Sequence, residues 1–148
     1  MNAVKTNQKG FSIIEVVLVL AIAGLIFLMV FVALPALQRS QRDQARRSDV
    51  GIVGSAVSSY ASNNRGDLPT LDQLTPYVQN LSQFDKDSEI RVSAGVTTGP
   101  SERNNVIMVN TGVKCSGSNV TATGASKRQA TVRVLLESGG HQVFCQDV

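Results

Sequence analysis

Residues 9–35 read KGFSIIEVVLVLAIAGLIFLMVFVALP. From Phe11 to Leu34 the run is apolar apart from Ser12 and Glu15, and Glu15 carries its only charge. At about 1.5 Å rise per residue these residues make a helix of about 36 Å, enough to cross a hydrocarbon core of ~30 Å with some tilt. Lipid offers no partner to a backbone amide, so so long an apolar segment is expected to be helical. The first expectation is therefore a membrane span, with the rest of the chain hanging from it.

Three details separate this span from an ordinary anchor. A polar, basic decapeptide, MNAVKTNQKG, precedes it and ends in Gly10. The aromatic Phe11 opens the apolar run, and Glu15 follows four residues later, where burying a charge is expensive. In Gly10, Phe11, Ser12, Ile13, Ile14 and Glu15, followed by the aliphatic run and Gly24, the sequence resembles the type IV pilins and their pseudopilin relatives. The resemblance covers about the first quarter of the chain. It implies that residues 1–10 are a leader and that a prepilin peptidase cuts between Gly10 and Phe11. Phe11 then becomes an N-methylated N-terminus, and Glu15 matches the carboxylate that neutralises the new amine of a neighbouring subunit during assembly.

The residues themselves point the same way. Cleavage frees an amine with an intrinsic pKa of about 7.7–8.0, and two opposite charges in an apolar bundle are tolerable only as a pair. The competing reading is a carboxylate that merely snorkels to the headgroups. One departure from the family stands out. Its helix usually has a proline eight residues after the glycine matched by Gly24, where this chain has Val32; the proline comes later, at Pro35. A helix break is accordingly expected near Pro35, with Gly24 as the other weak point.

The formal charge of +3 comes from 14 basic and 11 acidic side chains, and removing Lys5 and Lys9 with the leader leaves 12 against 11. The basic balance is thus no argument for nucleic acid. An ordinary secretory signal would have a shorter apolar region, of about 7–15 residues, with a small-residue cleavage site after it.

After Pro35 the chain turns polar and arginine-rich, with Arg39, Arg42, Arg46 and Arg47 beside Asp43 and Asp49. Val50, Val53, Ala56, Val57 and Tyr60 then recur at helical spacing, with Ala61 beside them, and 63–66 (Asn-Asn-Arg-Gly) supplies a stop at Gly66. The flank count of Lys and Arg, taken alone, favours a cytoplasmic C-terminal domain, whereas the leader resemblance requires the reverse. The more specific motif decides for an external head. The arginines then form either a solvated face partly paired with Asp43 and Asp49, or charge pairs with neighbouring subunits.

Thr70 and Gln73 form a capping-box pattern ahead of Leu71, Leu74, Tyr77, Val78 and Leu81, which predicts a short amphipathic helix interrupted or restarted at Thr75-Pro76. Residues 83–89 read as an acidic loop. Residues 89–96 and 105–113 read as strands joined by a turn at 98–101, residues 116–126 as a loop, and residues 130–137 and 141–146 as a hairpin around Ser138-Gly139-Gly140. The class is α+β: a long N-terminal helix, spanning the membrane in its first half and amphipathic in its second, packed on a small antiparallel β-sheet. The expected divisions are 1–10, 11–35, 36–64 and 65–148.

Cys115 and Cys145 are the only cysteines. Their separation suits a disulfide and not a zinc site, with two free buried thiols as the alternative. The family often fastens the end of its head by a disulfide, so the resemblance favours the bond. No catalytic constellation, metal site or cofactor is expected. His141 beside a glycine turn reads as solvated; Asp85, Asp87 and Glu89 alternate like the start of a calcium loop but lack its glycine and distant glutamate. Lys127, Arg128 and Arg133, with Lys114, are a candidate basic patch for DNA or a host surface, without interleaved aromatics to support it.

The expectation is a structural, non-enzymatic subunit of a type IV pilus-like filament. It is held in the cytoplasmic membrane before assembly, with its head outside, and lies at the cell surface afterwards. Its partners are related subunits, the prepilin peptidase, an assembly platform and the bilayer. The alternatives are a minor pilin or pseudopilin of a secretion or DNA-uptake machine, and a membrane-anchored binding domain that never polymerises.

Overall fold

The computed structural model describes residues 10–101, 105–140 and 142–148. Residues 1–9, most of the expected leader 1–10 and including Lys5 and Lys9, and His141 lie outside them. The chain divides into two compact units, Met1–Leu37 and Gln38–Val148.

One element, α1 (Ile13–Asn63), runs through both. In the first unit its apolar side chains are exposed, apart from the half-buried Ala23. It is the one helix among the described residues long and apolar enough to cross a membrane. At Gly24 and Pro35, the expected weak points, α1 is helical. Proline removes only the bond its own N–H would give to the carbonyl four residues back, and the rest of the ladder carries the helix past that gap.

The second unit is built on the last part of α1. Its stripe of Val50, Val53, Ala56, Val57 and Tyr60 is buried, as the 3.6-residue spacing predicts. On this face a Cβ added to Gly54 would stand 3.2 Å from a methyl of Val148, so a larger residue there requires Val148 to give way slightly. The helix ends where Arg65 (φ 57°) and Gly66 (φ 89°) turn left-handed and the Gly66 N–H returns to the Ala61 carbonyl at 2.8 Å.

The following helix, α2 (Leu71–Leu74), is shorter than expected. Gln73 Oε1 accepts from the Thr70 N–H at 2.9 Å and hydroxyl at 3.1 Å, so the start signal works. The Thr75 hydroxyl then takes the Leu71 carbonyl, Pro76 has no N–H to give, and the chain tightens into a 3₁₀ turn, Thr75–Tyr77. Leu74 and Val78 still reach the core.

Four strands, β1 (Ile90–Ala94), β2 (Ile107–Thr111), β5 (Ala130–Leu135) and β6 (Val143–Asp147), form a sheet in the order β1-β2-β5-β6. The sheet is mixed, not antiparallel: β1 and β2 run parallel. The turn residues at 98–101 do not close a hairpin. They belong to a crossover over one sheet face, where Thr97 takes bonds from Asn110 (2.7 Å) and Arg133 (3.2 Å). The β5–β6 hairpin forms as the glycines predict, with Gly139 at φ 70° and Gly140 at φ 78°. The loop expected at 116–126 instead opens with β3 (Lys114–Ser116) paired to β4 (Asn119–Thr121) through a two-residue turn starting at Gly117, φ 62°. Strands of three residues with little apolar alternation carry almost no sequence signal. The opposite sheet face supplies Ile90, Ile107, Val109, Val132 and Val134 to the core against α1.

Candidate functional site

At the start of α1 the chain is open on every side. Gly10 has no atom within 4 Å of where a Cβ would stand, and Phe11 is 88% exposed. The Ser12 carbonyl accepts the first helical bonds, from the N–H groups of Glu15 (3.1 Å) and Val16 (3.3 Å). Phe11 therefore stands outside the helix and Glu15 in its first turn. Glu15 Oε2 also reaches back to the Ser12 N–H at 3.3 Å, the returning half of a Ser-x-x-Glu capping arrangement that sequence reasoning missed. The carboxylate thus lies at the positive end of the helix dipole, in the turn that follows Phe11.

A second polar constellation occupies α1 between Arg42 and Asp49, inside the second unit. Asp43, only 4% exposed, takes the N–H groups of Glu137 (2.6 Å) and Ser138 (2.9 Å) and the Ser138 hydroxyl. Arg46, also buried, donates to the Leu135 carbonyl (2.6 Å), Asn105 (3.0 Å) and Glu137 (2.7 Å). Arg42 reaches the other oxygen of Glu137 at 2.7 Å. One turn on, Asp49 accepts from the N–H groups of Ser82 (2.8 Å) and Gln83 (2.7 Å). Arg47 lies over the Phe144 ring at 4.8 Å, while Arg39 is exposed.

This is more than the solvated face partly paired with Asp43 and Asp49 that the sequence suggests. The face is not simply solvated, and Asp43 and Asp49 satisfy backbone amides of the head instead of neutralising neighbours on their own helix. The signal was the i, i+3, i+6 spacing of Asp43, Arg46 and Asp49, which continues the apolar stripe beginning at Val50. Burial disfavours charge on Asp43, yet the Ser138 hydroxyl, the two N–H groups and Arg46 outweigh it and hold its pKa below the usual carboxylate value. The hydrogen bond from Arg42, helped by the charge of Arg46, lowers Glu137 against a smaller opposing effect of burial.

The sulfurs of Cys115 and Cys145 are bonded, with Cα atoms 5.9 Å apart, tying β3 to β6. Closing a loop of about 31 residues stabilises a fold by about 3.7 kcal/mol on the chain-entropy estimate. Cys115→Ser with Cys145→Ser is therefore expected to lower the thermal midpoint of the head by well over 10 °C, read by circular dichroism.

The remaining candidates separate. Arg133 is no part of a basic patch: it is 1% exposed and donates to Asn110 (2.8 Å) and the Thr97 carbonyl (3.2 Å). Alternation along β5 turns it inward beneath the crossover, while Lys127 and Arg128 stay exposed before the strand. In the acidic loop Asp85 accepts from the N–H groups of Asp87 (2.8 Å) and Ser88 (3.0 Å), an Asx-type turn, and those bonds lower its pKa. Among the described residues no cluster has the makings of a metal site.

A family model described as the prokaryotic N-terminal methylation motif matches residues 5–31, which include Gly10, Phe11 and Glu15. No curated protein and no solved structure matches the chain. The motif and the exposed apolar helix together point to membrane anchoring. The chain carries the type IV prepilin-like signal, and with its long N-terminal helix and small sheet-bearing head it fits the pilin and pseudopilin family.

Proposed function

We propose that this protein is a structural subunit of a type IV pilus-like surface filament. A prepilin peptidase removes residues 1–10 by cutting between Gly10 and Phe11, and Phe11 is N-methylated. The apolar half of α1 holds the subunit in the cytoplasmic membrane with the head outside, until an assembly platform feeds it into the filament. There the Glu15 carboxylate meets the Phe11 amine of a neighbouring subunit. The carrying observation is the exposed Gly10-Phe11 junction next to a helix whose first turn holds Glu15 and whose following residues to Leu34 are apolar and almost wholly exposed. In an assembly that apolar surface is covered by lipid or by other copies.

The processing step has a direct test. Mass spectrometry of material sheared from cells is expected to find an N-methylated Phe11 at the N-terminus. Gly10→Val is expected to accumulate as membrane-bound precursor. An intact residue 1 or 9 at the mature N-terminus would remove the filament reading and favour a membrane-anchored binding domain.

A further inference from the structure

The sheet has two edges, and among the described residues only one is tied to another strand. At β6 the Cys115–Cys145 bond attaches β3. At β1 the outward backbone groups follow from the ladder. Ile107 N–H donates to the Glu89 carbonyl and Gly95 N–H to the Thr111 carbonyl, in the parallel register Ile90↔Ile107 to Ala94↔Thr111. Arg91 and Ser93 consequently turn their amides toward β2, and Ile90, Val92 and Ala94 turn theirs away from the sheet. No backbone partner meets those three among the described residues. Just beyond this edge Val96 is 59% exposed, the one large apolar side chain so exposed among the described residues of Gln38–Val148. An open edge beside an exposed valine is a template for strand pairing.

Arg91 lies across this edge. Its Nη1 donates to the Ser88 carbonyl at 2.7 Å and the Ile90 carbonyl at 2.9 Å, and the Ile90 carbonyl is one an added strand would need. We propose that Arg91 is a guard that keeps the β1 edge of one head from pairing with the β1 edge of a second copy. The excluded pairing is antiparallel and two-fold, centred on Val92, and sets Arg91 of each copy opposite Ser93 of the other. Forming it requires Arg91 to leave two charge-assisted bonds and brings two guanidinium groups onto one small sheet face. Heads crowded at one surface then meet through other faces. This role holds whether or not copies assemble through α1, so its test is separate from that of the filament.

The test uses the full chain in detergent, with micelles in excess, and amide hydrogen exchange over a tenfold range of protein concentration. In the wild type the amides of Ile90, Val92 and Ala94 are expected to exchange freely at every concentration, while those of Arg91 and Ser93 are protected. Protection of the outward amides in the wild type would overturn the proposal without recourse to any variant. Arg91→Thr removes the guard and supports strand structure, and it is expected to slow exchange at Val92 and Ala94 at least tenfold as concentration rises, with a dimer appearing in sedimentation. Adding Ala94→Pro, which deletes an outward donor without touching the β2 ladder, is expected to restore the monomer. A folded, disulfide-bonded Arg91→Thr chain that exchanges like the wild type would also overturn it.

Discussion

Glu15→Val is expected to leave a stable, membrane-resident subunit and to reduce sheared filaments to few or none. Near a helix start in lipid a lone carboxylate is expensive, and the proposed cleavage would create a partner for it at Phe11. Within one chain Glu15 bonds only weakly and locally, to the Ser12 N–H at 3.3 Å, so its loss costs the isolated helix little beyond a capping interaction. Between chains the loss is larger. The other contacts are Val, Leu and Ile against similar side chains or lipid tails, which distinguish one axial depth from another only weakly. In the proposed filament the charge pair would set the register that those contacts cannot. Glu15→Asp is expected to be intermediate, since its shorter reach pairs the amine imperfectly. Filament yield against membrane-bound subunit, compared across the three forms, measures the effect. Normal yield from Glu15→Val would mean that the carboxylate only snorkels or caps its own helix.

Asp43→Ala is expected to cost the head about 3–4 kcal/mol. The substitution leaves the N–H groups of Glu137 and Ser138 without their acceptor in a half-buried site and removes a charge that steadies Arg46. Asp43→Asn keeps one acceptor and is expected to lose about half as much. Arg42→Ala, by contrast, removes only the exposed partner of Glu137 and is expected to have a much smaller effect. Urea unfolding of the head gives the sizes, and amide exchange at Glu137 and Ser138 gives the location, since the hairpin tip should open first. If Asp43→Ala were as mild as Arg42→Ala, the clamp would not be what holds the tip.

The same groups make the clamp sensitive to acid. Asp43 and Glu137 both have folded pKa values below their unfolded ones, of about 3.9 and 4.3. Their contribution is present in full above those unfolded values and is lost as pH falls through the lowered folded ones. Acid is therefore expected to loosen residues 136–140 before the core, and Asp43→Asn to flatten that dependence.

Much of this protein was legible without coordinates because its signals are local. The apolar run, the stripe from Val50 to Tyr60, the stop at Gly66, the Thr70–Gln73 start signal and the Ser138-Gly139-Gly140 turn each depend on residues a few positions apart. So does the N-terminal methylation motif, matched over residues 5–31. Chain order and residue chemistry alone carry the α+β class, the membrane-length helix and the prepilin-like signal.

Tertiary structure decided what depends on partners far along the chain. The parallel pairing of β1 with β2 follows from a crossover held down by Asn110 and Arg133, residues whose polarity gives no hint of burial. Asp43, Arg46 and Asp49 looked like a solvated continuation of the helix, yet each binds groups 33 to 95 positions away. A charged side chain is buried only where enough donors or acceptors converge on it, and that convergence is a property of the folded backbone. Sequence records which residues can make such bonds; the fold alone brings the amides of Glu137 and Ser138 to Asp43.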